Sequence, residues 1–145
     1  MTGEEKKEVK DKVYFLSDAH LGSRFHPDSR ETERKLCRWL ESVRQDAKAI
    51  YLLGDIFDYW YEYCHVVPKG FTRLLGKISE LTDEGVEIHF FIGNHDIWLT
   101  DYLSVECGMI LHFEPFIIDI GGKRFFLAHG DGLGDDSRSF HLLRK

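Results

Sequence analysis

Short apolar runs alternate with amphipathic stretches through the first two-thirds of the chain. The runs at 13–17, 49–53 and 86–92 have the length and composition of buried strands. Between them, apolar residues recur at the spacing of one helix face, in two groups: Leu36, Leu40, Val43 and Ala47, then Phe71, Leu74, Leu75, Ile78 and Leu81. This order predicts strand–helix–strand units.

Capping signals place the ends of these helices. Asp28, followed three residues later by Glu31, is typical of a helix N-cap with its reciprocal partner. Gly85 is expected to end the second helix. A shorter helix is predicted from about 98 to 106.

Strands follow one another in the last third. Runs at 109–113, 115–120 and 124–128 are apolar, and Gly121-Gly122 is a hairpin signal. The sequence therefore predicts an α/β fold with a mainly parallel sheet that acquires antiparallel strands later. With no repeat and no low-complexity linker, we expect one domain at 13–145 behind a flexible charged leader at 1–12, with a further helix at 137–145.

Charge and cysteine content narrow the range of possible functions. The 145-residue chain has a net charge of −6, so no general affinity for nucleic acid is expected, and a site for phosphate would need bound cations. The three cysteines include no Cys-x-x-Cys pair, which argues against a disulfide framework and favours a reducing cytoplasm. The charged N-terminus lacks the apolar stretch of a signal peptide, and no apolar run approaches the roughly 20 residues that span a bilayer.

Four apolar strands each stop at a short turn that carries Asp, Asn or His: 17–20 (Ser-Asp-Ala-His), 54–58 (Gly-Asp-Ile-Phe-Asp), 93–96 (Gly-Asn-His-Asp) and 128–131 (Ala-His-Gly-Asp). Ligands of open α/β sheets bind beyond the carboxyl ends of the strands, so these side chains are expected to converge. Oxygen and imidazole ligands together suit Mn²⁺, Fe²⁺ or Zn²⁺ better than Mg²⁺ alone. The sequence therefore predicts a metal centre.

The ordered set resembles the calcineurin-like metallophosphoesterase superfamily, and the resemblance covers Val13 to about Gly134. It implies that Asp18 and His20 hold one metal, that Asp55 bridges two metals, and that Asn94 and His129 hold the second. Two neighbouring cations need a shared anionic ligand to offset their repulsion, and a carboxylate can provide it. We expect two divalent metals, Mn²⁺ before Fe²⁺ or Zn²⁺.

The same resemblance implies the catalytic residues. His95 would face the substrate, donating a proton to the leaving oxygen or stabilising the phosphoryl charge, and Asp58 would orient it. Asp96 and Asp131 are expected to brace their loops by accepting backbone hydrogen bonds. Arg24 would reach a phosphate, although a solvated loop arginine is the alternative.

The stretches 15–22, 54–63 and 129–134 look like the UDP-2,3-diacylglucosamine diphosphatase group. This implies hydrolysis of a nucleotide-lipid pyrophosphate, giving UMP and a diacylglucosamine 1-phosphate for lipid A synthesis, in the cytoplasm with peripheral contact to the inner membrane face. Tyr59 and Trp60 would line an entrance for acyl chains or stack on a base; packing under a helix is the alternative. Some members of the group carry Arg at the position of His95, so the motif here is the more general superfamily form. Another phosphodiester, such as a nucleotide, is the second substrate class.

The chain departs from the superfamily pattern after His129. No Gly-His-x-His occurs before Lys145, and His141 is the only histidine left. Three interpretations follow: a fragment of a longer enzyme, which we favour; a chain that borrows ligands from a second subunit; or a binding module that keeps the fold without catalysis. Exposed strand edges would allow pairing with another chain, and the oligomeric state stays open.

Overall fold

The computed structural model describes residues 9–25 and 27–130. In chain order, the elements are β1 (Lys12–Leu16), α1 (Ser29–Val43), β2 (Ala47–Leu52), α2 (Thr72–Asp83), β3 (Glu87–Phe91), α3 (Tyr102–Cys107), β4 (Ile110–His112), β5 (Phe116–Ile120) and β6 (Lys123–Leu127). The predicted helix at 137–145 lies outside the described residues. Among the residues it describes, the structure has no helix with the length and apolar character needed to cross a bilayer.

One sheet has four parallel strands in the order β1-β2-β3-β4, and β5 and β6 form an antiparallel pair. The turn between β5 and β6 is Gly121-Gly122, with φ of 56° and 75°. Two successive positive φ angles suit the tight turn of a twisted hairpin and are costly for other residues. The predicted α/β fold, parallel first and antiparallel later, is confirmed.

The two faces of the parallel sheet pack against different layers. Alternate residues of β2 divide between them: Ile50 and Leu52 join the core under the helices, whereas Ala49 and Tyr51 pack in a second cluster with Leu127 of β6. Burial on both faces explains why β2 is a continuous apolar run. The parallel strands hold their carboxyl ends at one edge, which positions the site.

The first helix begins as predicted but ends early. The Asp28 carboxylate accepts a hydrogen bond from the Glu31 backbone N–H at 2.8 Å, the predicted N-cap. Ala47, expected in this helix, is instead the first residue of β2 and pairs with Lys12. An apolar residue one turn beyond Val43 fits either a further helical turn or a strand start. Ala47 belongs to the strand, because it pairs with Lys12 of β1 and is completely buried.

A buried carboxylate joins the first two helices. Glu33 of α1 is 5% exposed, and its Oε1 accepts from the backbone N–H groups of Arg73 and Leu74 at 3.0 and 3.1 Å. These donors open α2, whose N-cap residue, Phe71, offers no side-chain acceptor. Glu33 therefore satisfies helix-end donors across the core.

The third helix is shorter than predicted. It begins at Tyr102 instead of 98, because the preceding residues run beside the segment after β2, with Tyr61 and Trp98 forming an isolated parallel bridge. This places Trp98 in the surface loops next to the site.

Candidate metal centre

The carboxyl edge of the sheet gathers the predicted ligands. Asp18, Asp55 and Asn94 follow the ends of β1, β2 and β3 by two or three residues, and His129 follows β6. Two groups have nitrogen or carboxylate oxygen atoms within 4.8 Å of one another: Asp18, Asp55 and His129, and His20, Asp58 and His95. The first group combines one imidazole with two carboxylates, and the second combines two imidazoles with one.

His129 is fixed with one nitrogen directed at Asp55. Its Nδ1 lies 2.8 Å from the Leu53 carbonyl oxygen, which can only accept, so Nδ1 carries the proton in this contact. The other nitrogen, Nε2, is then a lone-pair donor 3.3 Å from Asp55 Oδ2. A backbone carbonyl that fixes the tautomer in this way is typical of a metal-binding histidine.

Asn94 completes a set of acceptors. Its amide oxygen lies 2.9 and 3.2 Å from the two Asp55 carboxylate oxygens and 3.1 Å from His129 Nε2. Four acceptor atoms without a proton between them repel one another, and turning the amide would let its nitrogen donate instead. A cation makes the oxygen-inward orientation favourable, because each atom becomes a ligand. The donor set therefore fits a divalent metal.

Asp55 lies between the two groups. Its side chain is 5% exposed, and Oδ2 is 3.9 Å from Nε2 of both His20 and His95, which belong to the second group, and 3.3 Å from Nε2 of His129, which belongs to the first. His20 Nε2 is also 3.7 Å from Asp18 Oδ1. A single carboxylate that neighbours both clusters is the arrangement that a bridging ligand requires.

Asp58 contacts both histidines of the second group. Its backbone carbonyl accepts from His95 Nδ1 at 2.8 Å, so the free nitrogen of His95 is Nε2. The Asp58 carboxylate is 3.6 Å from His95 Nδ1 and slightly closer, 3.4 Å, to His20 Nδ1. Asp58 thus holds His95 through its main chain, while its carboxylate lies between the two rings.

The ligand-bearing turns have unusual backbone geometry. Asp18, His20 and Asp55 have φ of 56°, 45° and 53°, in the left-handed region that side chains other than glycine seldom adopt. Backbone hydrogen bonds hold this geometry: Asp18 N–H donates to Gly54 at 3.2 Å, and His20 N–H donates to Asp55 at 3.0 Å. Strain of this kind, held by surrounding contacts, is concentrated at functional sites.

Two glycines allow the turns to approach. A Cβ on Gly54 would lie 2.6 Å from His129 Nδ1, and Gly54 also has a φ of 88°. A Cβ on Gly93 would collide with the carboxylate of Asp55. Glycine is therefore required at both places for the ligands to meet.

Asp96 braces its loop as expected. It is fully buried, and its Oδ1 accepts from the Gly93 N–H at 2.6 Å. Burial raises the pKa of Asp96 to about 6. Asp131, given the same role, lies outside the described residues.

The residues predicted to contact the substrate differ in their exposure to solvent. Trp60 has no exposed surface; its ring packs on Phe57 and Phe71, so it belongs to the core and does not line an entrance. Tyr59 is 57% exposed, and Arg24 is exposed on the loop after β1. Trp98, which sequence reasoning did not select, is 44% exposed beside Tyr59. The sequence signal that could have selected Trp98 is its position three residues after His95.

A family model, calcineurin-like phosphoesterase, matches residues 11–143. The chain belongs to this family. This family agrees with a set of donor atoms that fits a divalent metal. Metal ions at such sites activate a water molecule, which then attacks the phosphate ester.

Two relatives of this chain have the same name. A UDP-2,3-diacylglucosamine hydrolase of Porphyromonas gingivalis is 61% identical over 85% of this chain and 47% of its own length. The protein of the same name from Neisseria meningitidis serogroup A is 35% identical over 92% of the chain and 54% of its own length. The chain thus spans about half the length of the relatives it matches.

A solved structure supports the fold. A protein of unknown function from Aquifex aeolicus superposes with a TM-score of 0.55 and 20% identity, over 91% of this chain and 67% of that one.

Proposed function

We propose that this chain carries the metal-binding residues of an enzyme that hydrolyses the pyrophosphate of UDP-2,3-diacylglucosamine to UMP and diacylglucosamine 1-phosphate. The observation that carries the proposal is the convergence of acceptor atoms from Asp55, Asn94 and His129 at the sheet edge. The name of the 61% identical relative supports the substrate.

Two divalent metals, Mn²⁺ in the first place, would be held by these residues. Asp18 and His20 would serve one ion, Asn94 and His129 the other, and Asp55 both. Bound cations at such a site lower the pKa of water and offset the charge of a phosphoryl group. The mixed oxygen and nitrogen donors support Mn²⁺, Fe²⁺ or Zn²⁺.

The remaining residues would bind the substrate and orient the histidine rings of the site. His95 presents Nε2 towards Asp55, with a half-exposed ring, so it can place a hydrogen-bonding nitrogen beside a phosphoryl or leaving oxygen. The Asp58 carbonyl fixes the His95 ring, and the Leu53 carbonyl fixes His129. These backbone contacts set the orientation before any substrate binds.

We further propose that the enzyme works in the cytoplasm at the inner face of the membrane. A nucleotide-lipid substrate has a polar head that a site in water can reach and acyl chains that stay in the bilayer. The name shared by the relatives supports such a substrate.

The test is release of UMP from UDP-2,3-diacylglucosamine by the Mn²⁺-loaded chain, followed by liquid chromatography. Asp55→Asn should abolish release, whereas Asp119→Asn, on exposed β5, should not change it. Release of UMP that survives Asp55→Asn would contradict the proposal. Hydrolysis of bis-p-nitrophenyl phosphate without release of UMP would replace the proposed substrate with another phosphodiester.

A further inference from the structure

One carboxylate joins the two loops that lie beside His95. We call residues 58–62, after β2, the first loop and residues 95–101, after β3, the second loop. Four donors share the two oxygens of the Glu62 side chain: the Trp60 indole N–H, the Thr100 hydroxyl, and the backbone N–H groups of Asp101 and Tyr102. Trp60 Nε1 lies 3.0 Å from Oε1, and the two backbone nitrogens lie 3.1 and 3.2 Å from Oε2.

Three main-chain groups also make hydrogen bonds between the loops. The Asp58 carbonyl accepts from His95 Nδ1 at 2.8 Å, and the Trp60 N–H donates to the His95 carbonyl at 3.4 Å. The Glu62 N–H donates to the Trp98 carbonyl at 3.2 Å. The Trp60 contact is long for an N–H···O bond, which is usually about 2.9–3.0 Å. The Glu62 side chain therefore joins the loops most firmly, because it adds bonds to the second loop and to the start of α3.

Glu62 is ionised in this setting. Burial would raise its pKa, but the hydrogen bonds from Thr100, Trp60 and the backbone outweigh burial and lower the pKa below its usual value. The side chain of Asp101, the N-cap residue of α3, makes no capping hydrogen bond, so Glu62 supplies an acceptor that the start of this helix needs. An ionised carboxylate offers only acceptors on both oxygens, which is what four donors require.

The first loop also orients the His95 ring. The His95 side chain is 39% exposed, and its Nδ1 donates to the carbonyl of Asp58, four residues before Glu62. With Nδ1 engaged in this way, Nε2 lies 3.9 Å from Asp55 Oδ2. A shift of the first loop would carry the Asp58 carbonyl with it and turn Nε2 away from the site. Misplacement of a reacting group by about 1 Å is enough to slow turnover about 10²-fold.

We propose that Glu62 is a positioning residue, which fixes the orientation of the His95 ring by holding the first loop against the second. The effect on turnover rests on the proposed function. The effect on the ring needs neither metal nor substrate, so the two effects are measured separately.

Glu62→Gln is the decisive variant. Glutamine keeps the size of the side chain but replaces one acceptor oxygen with an NH2 group, so at least one of the four donors faces another donor. Long-range proton–nitrogen NMR spectra of the metal-free chain, at an alkaline pH where histidine is neutral, report which ring nitrogen carries the proton. The parent should show His95 with its proton on Nδ1. Glu62→Gln should show a mixture of the two tautomers, because Nδ1 loses its fixed acceptor, and His95→Ala assigns the signals.

Two controls separate this effect from a general loss of order. The His129 ring is held by the Leu53 carbonyl, so its signals should not change in Glu62→Gln. Glu33→Gln is the matched variant, because Glu33 is also a carboxylate that accepts from the N–H groups at the start of a helix, but it lies between α1 and α2. It should leave the His95 signals as they are in the parent chain.

Turnover tests the same role through a second readout. In the Mn²⁺-loaded chain, Glu62→Gln should lower kcat for release of UMP about tenfold, with KM and manganese content unchanged. A purely structural role predicts the same fall when Glu62→Gln is combined with His95→Ala. A positioning role predicts no further fall in that double variant, because the effects of residues that act through one another are not additive.

Thr100→Val is a milder variant, which removes one of the four donors at an exposed position. It should move the His95 signals in the same direction by a smaller amount, and it keeps the test valid if circular dichroism shows that Glu62→Gln does not fold. An unchanged His95 tautomer in the folded variants would overturn the proposal. So would a parent chain with the His95 proton on Nε2, or an equal fall in kcat with and without the His95 ring. A parent chain that releases no UMP, but whose His95 signals respond to Glu62→Gln, would remove the proposed function and leave the positioning role.

Discussion

His129 Nε2 lies 3.3 Å from Asp55 Oδ2, although the two residues are 74 positions apart in sequence. Both side chains are nearly buried, at 8% and 5% exposure, and the Leu53 carbonyl holds the opposite ring nitrogen of His129. The pair joins the end of the antiparallel hairpin to the end of β2.

Removal of the Asp55 carboxylate should have the largest effect on the site. Asp55→Ala leaves His20, His95 and His129 without the anion that they share, so we expect loss of hydrolysis and loss of the second metal. Isothermal titration with Mn²⁺ measures the second effect. Asp119→Ala is the control, because that side chain is exposed on β5. Near-normal turnover in Asp55→Ala would refute the bridging role.

Adding one methyl group at Gly93 should damage the site without replacing any ligand residue. The new Cβ of Gly93→Ala meets the Asp55 carboxylate and backbone N–H, so Mn²⁺ affinity should fall about tenfold or more. Gly76→Ala, in α2 with open space around its Cβ, should leave affinity unchanged and stabilise the fold by about 0.5–1 kcal/mol. Equal metal affinities in the two variants would rule out this close approach.

His95→Ala should separate binding from turnover. The ring lies beside Asp55 but is not assigned as a ligand, so Mn²⁺ stoichiometry should be retained. The rate of UMP release should fall by about 10²–10⁴-fold, as expected for loss of a positioned acid. Elemental analysis and a kinetic assay on the same sample give both quantities. A His95→Ala variant that loses metal would make His95 a ligand.

Glu33→Ala should destabilise the chain away from the site. The substitution leaves the N–H groups of Arg73 and Leu74 without their acceptor in a buried position, which costs about 1–3 kcal/mol. Urea unfolding should show a lower midpoint with an unchanged slope. Lys35→Ala, at an exposed position of the same helix, is the control and should change the midpoint little. Equal midpoints for the two variants would contradict the capping role.

The three cysteines should react with Ellman's reagent at different rates. Cys64 is exposed in a turn, whereas burial raises the pKa of both Cys107 and Cys37 above the usual value. A raised pKa leaves less thiolate at a given pH, and thiolate is the reacting form, so these two thiols should react slowly until the chain unfolds. Cys64→Ser should remove the fast phase. A fast phase that persists in Cys64→Ser would contradict this order.

The sequence alone predicted the edge that carries the site, because motifs at strand ends combine a local signal with a general rule of parallel sheets. Asp18, Asp55 and Asn94 each follow an apolar run, and the two parallel pairings β1–β2 and β2–β3 bring them together. Asp58 was expected to orient His95, but the contact of its carboxylate with His20 was not predicted, since it depends on how two loops approach each other.

Burial of single side chains was the weakest part of the prediction. Trp60 and Tyr59 are neighbours in an aromatic run, and only the packing of Trp60 on Phe57 and Phe71 decides that Trp60 lies in the core. Glu33 is a charged helix residue, yet it is buried because the start of α2 supplies two donors. Both cases depend on partners about 10 to 40 residues away, which local periodicity does not contain.

The metal content of the purified chain tests the central claim most directly. The chain would be equilibrated with Mn²⁺, desalted and measured by elemental mass spectrometry, with Asp55→Ala and Asp119→Ala treated in parallel. The account predicts close to two manganese ions per chain for the parent and Asp119→Ala, and fewer for Asp55→Ala. A parent chain that retains no manganese, or an Asp55→Ala chain that retains as much as the parent, would contradict it.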